Sequence, residues 1–401
     1  MPYGQSRVAI VVGTALWTML VAGSAGAQDS AQASADSASK WHVDFGGLIN
    51  AFVVNAKWDV GNNLESTTRV MSGFDPSKFN AHITAPHYGG LEVSGHFQFA
   101  PSIQSNKAKF AGESFEVRIA EVDVSGTFGT FEIGRGWSIF NAQAIINDAA
   151  SLPGVGRIPS PDRGGPTFGR IGTGYTWTDF DPKVAYRTPD LGGFQLRVGI
   201  FDPIETPFGA SSLPDNSGGT GVGALETQTP RVEAEATYAV KSDRAAFRVW
   251  AGGLGQSLKD KGTDSTTTIT GVDGGAHVDV AGFGLTAAYT TTKGVGPSGF
   301  QGNGFVCDAA GCRSAKTDFW YGGANYTLSG KTTFGASYGE GNQKAKDGFS
   351  KVKNQLGMAF IHHQLSPQLY LTLEAHKFQS KTSDVISEKY RAFIVGTQFN
   401  F

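Results

Sequence analysis

The residues able to do chemistry are scattered along this chain and do not form a catalytic group. Five histidines, His82, His96, His362, His363 and His376, fall where strands are expected, with His362 and His363 on opposite faces of one strand. None is spaced with a nucleophile and an orienting carboxylate in a recognisable hydrolytic arrangement. No phosphate loop, dinucleotide fingerprint or metal motif occurs, so no catalytic residue, cofactor or metal is expected. Cys307 and Cys312 are the only cysteines, with four residues between them. In an exported chain they predict a loop-closing disulfide, and no histidine lies beside them to complete a zinc site. What does recur is charge on one face of apolar segments: Asp44, Lys78, Glu92, His96, Arg118, Arg187, Arg197, Glu233, Glu235 and Arg248. So many ionised groups cannot be buried in a dry core, but they can line water.

The elements that must position these charges alternate strictly. Val43, Phe45, Gly47 and Ile49 interleave with His42, Asp44, Gly46 and Asn50. Phe194, Leu196, Val198 and Ile200 interleave with Gln195, Arg197 and Gly199, and Val232, Ala234, Ala236 and Tyr238 with Arg231, Glu233, Glu235 and Thr237. A period of two gives a strand one apolar and one polar face. Sixteen such segments are predicted, at 41–57, 77–86, 90–101, 115–126, 130–136, 183–188, 193–202, 229–241, 245–257, 267–280, 283–293, 316–329, 331–341, 352–365, 368–380 and 389–401. Tight turns at 87–89, 127–129, 190–192, 242–244, 329–330 and 366–367 alternate with longer loops. Short turns at one rim and long loops at the other are the pattern of a transmembrane antiparallel up-and-down β-barrel, and sixteen strands enclose a space wide enough for water. A soluble β-sandwich also alternates faces, but it buries its apolar faces against each other and needs no such alternation of loops.

The amino-terminal end predicts export. Arg7, an apolar run from Val8 to Val21 and the small residues Ala25-Gly26-Ala27 form a secretory signal peptide at residues 1–27. The run is too short for a membrane anchor and is broken by Gly13, Thr14 and Thr18. Residues 28–40 read as a flexible polar leader and 41–401 as a single barrel without an internal boundary. Cleavage leaves 32 Lys and Arg against 35 Asp and Glu, a balance that points to no nucleic-acid partner. With 55 Gly and 28 Phe against 4 Met, the composition disfavours long helices, and an all-β fold is expected.

The stretch Gly126-Thr-Phe-Gly-Thr-Phe-Glu-Ile-Gly-Arg135, the long loop after it at about 136–181, and Val184-Ala-Tyr-Arg-Thr-Pro-Asp-Leu-Gly-Gly-Phe194 resemble the trimeric Gram-negative porin family. The resemblance extends over Trp41 to Phe401. It implies a general diffusion channel for small hydrophilic solutes and ions, a homotrimer, and a setting of outer-membrane lipid and lipopolysaccharide. It also implies that the long loop folds inward as a constriction, with a short amphipathic helix predicted at 140–152. Lys78, Arg118 and Arg187 then match the family's basic wall. On the loop, Asp148 and Asp162 would face the channel together with Arg157 and Arg163. Because Arg157, Arg163 and Arg170 outweigh the loop's nearby carboxylates, a net-positive constriction that prefers anions is predicted. The last strand alternates to Phe399 and Phe401, similar to the carboxy-terminal assembly signal of outer-membrane barrels. Gly47 and Ala51, small and outward, would suit a subunit interface.

Other functions predict different features. A barrel enzyme needs a nucleophile and base that meet in space. A substrate-selective channel needs interior aromatics, for which Trp177, Trp250 and Phe201 are candidates, although Trp250 near a strand end would equally suit the lipid girdle. A structural or adhesive barrel needs a plugged lumen.

Overall fold

A computed structural model of the protein describes residues 40–401 apart from 62, 102, 104–114, 162–165, 205–224, 228, 261–265 and 309–310. The expected signal peptide and nearly all of the leader lie outside the described residues. The strands are β1 (His42–Val60), β2 (Asn63–Met71), β3 (Lys78–Thr84), β4 (Glu92–Pro101), β5 (Phe115–Gly126), β6 (Gly129–Trp137), β7 (Phe180–Arg187), β8 (Phe194–Phe201), β9 (Leu225–Thr227) and β10 (Arg231–Lys241). They continue as β11 (Ala245–Asp260), β12 (Thr266–Val280), β13 (Phe283–Lys293), β14 (Phe305–Asp308), β15 (Gly311–Ser314), β16 (Lys316–Leu328), β17 (Thr332–Gln343), β18 (Val352–Gln364), β19 (Leu369–Thr382) and β20 (Val385–Asn400).

Every ladder is antiparallel, and β20 pairs with β1 to close the sheet on itself. Beyond the last strand residue, Phe401 exchanges backbone hydrogen bonds with Gly47 in both directions, at 2.9 and 3.1 Å. The barrel has sixteen staves, because β2 and β3 both pair with β1 and make one stave, β9 and β10 both pair with β11 and make another, and β14 and β15 form a separate hairpin. Alternation sets the two faces. On β13, Phe283, Leu285, Ala287 and Tyr289 are exposed while Gly284, Thr286, Ala288 and Thr290 are buried. The exposed apolar rows recur around the sheet and form the lipid-facing surface.

Two parts differ from the sequence expectation. The second stave is longer, since β2 adds Asn63–Met71 and then breaks at 72–77 before resuming as β3. More consequentially, the inner face is not polar throughout. Phe52, Val54, Ala56 and Trp58 of β1, Leu356, Met358 and Phe360 of β18, Phe378 of β19 and Tyr390, Ala392 and Ile394 of β20 form an apolar core inside the barrel, completed by Ala150, Val155 and Ile158 of the long loop. These side chains are inward because the loop, and not water, is their partner.

Candidate functional site: the constriction

The described residues of the segment 138–179 between β6 and β7 are held chiefly by staves from β10 to β20. Glu233 on β10 accepts from the backbone N–H groups of Ile139 and Phe140 at 2.7 and 2.9 Å, and Tyr321 on β16 donates to the Ala144 carbonyl at 2.6 Å. Glu374 on β19 accepts from the Val155 N–H at 3.0 Å, the Ile158 N–H donates to Tyr390 on β20 at 2.9 Å, and Arg170 donates to the Leu356 carbonyl of β18 at 3.1 Å. A single segment can touch β10, β16, β18, β19 and β20 only from inside the barrel. Phe74, in the break between β2 and β3, also reaches in, and its N–H donates to the Gly154 carbonyl at 2.9 Å. A second loop closes over the first: the Trp177 N–H donates to the Gly299 carbonyl at 2.9 Å, and Asn354 donates to the Pro297 carbonyl at 2.8 Å.

The expected loop helix is present but short. It runs Ala142–Ile146 as α1, and from Asp148 the chain turns back, with the Ser151 and Leu152 N–H groups both bonded to the Asp148 carbonyl. Gln143 on α1 donates to Glu235 at 3.3 Å and accepts from Arg248 at 2.8 Å. Glu233 and Glu235, expected as water-lining charges, are therefore buried anchors of the loop.

Asp148 and Arg157 do not line a channel. Asp148 is 1% exposed. It pairs with Arg170 at 3.6 Å and accepts from the Tyr175 hydroxyl at 3.1 Å. Arg170, fully buried, also donates to Ser337 and lies 5.7 Å from the Tyr321 ring. Burial, and then the Asp148 carboxylate, hold the Tyr175 phenol well above its ordinary range, so it stays a donor. Arg157 is buried between the rings of Phe168 and Phe378, 5.4 and 5.5 Å away, and donates to the Ile171 carbonyl at 3.1 Å. These charges brace the loop because its own backbone and aromatic groups surround them. Asp162 and Arg163 lie outside the described residues.

The wall of β3 to β8 carries the remaining expected residues. Lys78 pairs with Asp75 at 2.8 Å. Arg118 is the extra residue of a β-bulge on β5, where Val117 and Ile119 oppose the consecutive Phe99 and Gln98. It pairs with Glu116 at 2.9 Å and lies 5.1 Å from the Phe180 ring. Arg187 stands 3.5 Å from Glu132, which also binds Arg197 and, at 3.2 Å, Lys183. Lys183 in turn meets Glu121 at 2.7 Å. The structure thus puts Lys78, Arg118 and Arg187 on the inner wall, each beside a carboxylate. The rings of His82 and His96 stack at 4.0 Å on the same wall.

Trp250 departs from the lipid-girdle reading. It is buried inside, against the loop cluster of Ile145 and Tyr175, in space left by Gly275, where a Cβ would stand 2.2 Å from its ring. Phe201 is likewise buried inside, against Ile139, with Arg231 over its ring at 5.1 Å. Trp177 is half-buried beside Phe74. Cys312 is disulfide-bonded, and Cys307 is its register partner across the β14–β15 hairpin. Phe399 and Phe401 are exposed on the outer face and stack at 6.0 Å.

A closed sixteen-stave antiparallel barrel with an apolar outside and a loop folded into its lumen defines a transmembrane β-barrel of the channel-forming class. The family model described as Gram-negative porin matches residues 13–383. The chain belongs to that family, and it is an outer-membrane channel for passive diffusion. Among solved structures it is similar to the outer membrane channel DcaP of Acinetobacter baumannii, at 16% identity and a TM-score of 0.68, covering 90% of this chain and 97% of that one. It is also similar to the anion-selective porin from Comamonas acidovorans, at 17% identity and a TM-score of 0.62, covering 90% and 100%. The trimer form of OmpT, an outer membrane protein of Vibrio cholerae, follows at 13% identity and a TM-score of 0.51, covering 90% and 99%. A comparison with curated protein sequences finds no match.

Proposed function

We propose that hydrophilic solutes and ions cross between the inward loop and the wall of β3 to β8, with a modest preference for anions and no catalytic step. The observation that carries this reading is the asymmetry of the lumen: the loop takes most of its anchors from β10 to β20, with Arg69 of β2 bonded to the Pro161 carbonyl, while the wall from β3 to β8 keeps Arg187, Glu121 and the His82–His96 pair partly exposed. With Arg157 and Arg170 inside the loop, net charge no longer drives selectivity. Arg187 does, because its side chain is 19% exposed against 14% for Arg197 and 1% for Lys183 around the same carboxylate. The anion-selective Comamonas porin is consistent with that sign. Lys78 and Arg118 stand on the same wall but are nearly buried, at 9% and 8% side-chain exposure, and each is paired with a carboxylate, so they add less than Arg187 does.

The trimeric form of the Vibrio relative supports a homotrimer. Gly47 is a weak marker of its interface, since a Cβ there would meet the Lys78 carbonyl at 2.3 Å within the same barrel, so its smallness serves strand packing. Outer-membrane lipid covers the remaining outer face, and Phe399 with Phe401 supply the assembly signal.

The test is single-channel conductance of refolded protein in planar bilayers under a salt gradient. The parent is expected to give stable open steps with an anion-signed reversal potential. Arg187→Ala should move that potential toward cation preference by more than Arg118→Ala does. A cation-signed parent would overturn the selectivity, and silence from a folded, inserted barrel would overturn the channel path.

A further inference from the structure

The stacked histidines of the inner wall belong neither to the loop anchors nor to the ion pairs around Glu132. His82 on β3 and His96 on β4 are direct cross-strand partners, both half-buried, with their rings 4.0 Å apart at 20°. Their row continues into a carboxylate on each side: Asp44 on β1 is the register partner of His82, and Glu121 on β5 is that of His96. Lys183 engages Glu121 at 2.7 Å, whereas Asp44 is exposed and meets His42 at 2.9 Å.

Two local features prepare these rings for a ligand. His96 Nε2 stands 3.3 Å from the Asn80 side-chain oxygen, which also accepts from Gln98 at 2.8 Å. That oxygen can only accept, so Nε2 carries the proton and Nδ1 keeps its lone pair. An outer partner that fixes one ring nitrogen in this way is what orients a metal-bound imidazole. His82 makes no hydrogen bond among the described residues, which leaves its ring free to turn. Neutral imidazoles favour ions of the zinc type, while magnesium takes oxygen ligands and keeps most of its water.

We propose that His82 and His96, with Asp44 as third ligand, bind a divalent transition-metal ion of the zinc type on the lumen wall, near the short-turn end of β3 and β4. The stack is the unbound form: among the described residues no three such groups converge on one point. In a stack the in-plane lone pairs run side by side, so both rings must turn about their Cβ–Cγ bonds. Two nitrogens then stand roughly 3.3 Å apart, as bond lengths of about 2.0–2.1 Å and a tetrahedral angle require. Asp44 exchanges His42 for the ion, and water fills the fourth position. No spacing in the sequence announces the site, because its ligands come from three strands. The ion would add two positive charges to the wall that carries Arg187, and only this consequence rests on the proposed solute path.

The experiment titrates zinc chloride calorimetrically into the full barrel in non-ionic detergent, at a pH above the ordinary histidine range, with magnesium chloride as control. The parent should bind one zinc ion per barrel and no magnesium. His82→Gln and His96→Gln should each lose on the order of a hundredfold in affinity. Asn80→Ala, which keeps all three ligands but frees the His96 tautomer, should lose about tenfold. Heat-modifiable migration on a gel checks that each variant folds. Zinc affinity equal in the parent and both histidine variants, equal affinity for magnesium, or binding abolished by His42→Gln alone would overturn the site. Reversal potentials in planar bilayers separate this proposal from the channel reading. Zinc should shift the parent further toward anions and leave His82→Gln unmoved. A calorimetric site with an unmoved parent potential would uphold the site and sink the solute path along this wall, whereas open steps without zinc binding would do the reverse.

Discussion

The buried pair Asp148–Arg170 offers a sharp test of how the constriction is held. Arg170→Met removes the cation and leaves Asp148 with only the Tyr175 hydroxyl at 3.1 Å and the Ala150 N–H at 3.3 Å. Stranding one partner of a buried pair costs about 3–5 kcal/mol, and the 3.6 Å separation argues for the lower end. At about 1.4 kcal/mol per tenfold, a cost of about 3 kcal/mol raises the population of the detached loop roughly a hundredfold. Asp148→Asn should cost less, because Arg170 keeps the Leu356 carbonyl, Ser337 and the Tyr321 ring. The double variant should be milder than the sum of the singles by about 1–3 kcal/mol, since it strands no charge. The assay is open-channel noise in planar bilayers, scored as excursions to higher conductance, beside the thermal transition in detergent. Parent-like noise and melting for Arg170→Met, or strict additivity in the double variant, would refute the claim that this pair fastens the loop.

Two further outcomes follow from the same anchoring. Glu233→Gln weakens two charge-assisted hydrogen bonds to Ile139 and Phe140 and the 2.7 Å pair with Arg231, and should loosen the start of the loop by about 2–4 kcal/mol, read as increased proteolysis near residues 138–146. Because Arg231 keeps Asp181 as a partner, the barrel itself should still fold, which heat-modifiable migration on a gel would check. Gly275→Val places a side chain where Trp250 and the Ala287 carbonyl already stand, at 2.2 and 2.5 Å, and should lower the thermal transition by an amount matching about 1–3 kcal/mol of overpacking. An unchanged transition would show that Trp250 is free to move.

The barrel was legible in the sequence because a period of two is local: whichever stave Phe194 or Val232 belongs to, its neighbours within ten residues reveal the faces. The last strand was legible by the same rule, but its pairing with β1, where the Phe401 backbone meets Gly47, joins residues more than 300 positions apart and is not a local signal. The lumen was less legible, because its chemistry is made by pairs far apart in the chain. Glu233 and Glu235 read as inward charges, but nothing near them distinguishes water from the loop backbone some 90 residues earlier, to which Glu233 is bonded. A charged residue on the inner face of a barrel has two stable fates, hydration or a full set of buried partners, and only the second requires knowing where a distant loop lies.

One signal for that second fate was present and local. From Ala51 to Val54 the first strand is apolar at every position, not every second one, as Phe52 and Val54 turn inward while Ala51 and Val53 face out. A strand apolar on both faces is covered on both. In a membrane barrel lipid covers only one, so the other requires protein inside. With Leu356, Met358 and Phe360 on β18 and Ile394 on β20 presenting the same inward apolar residues, the side of the lumen that the loop occupies follows from the staves themselves. The proposed solute path lies across from it, along β3 to β8, where the inner face keeps its charges.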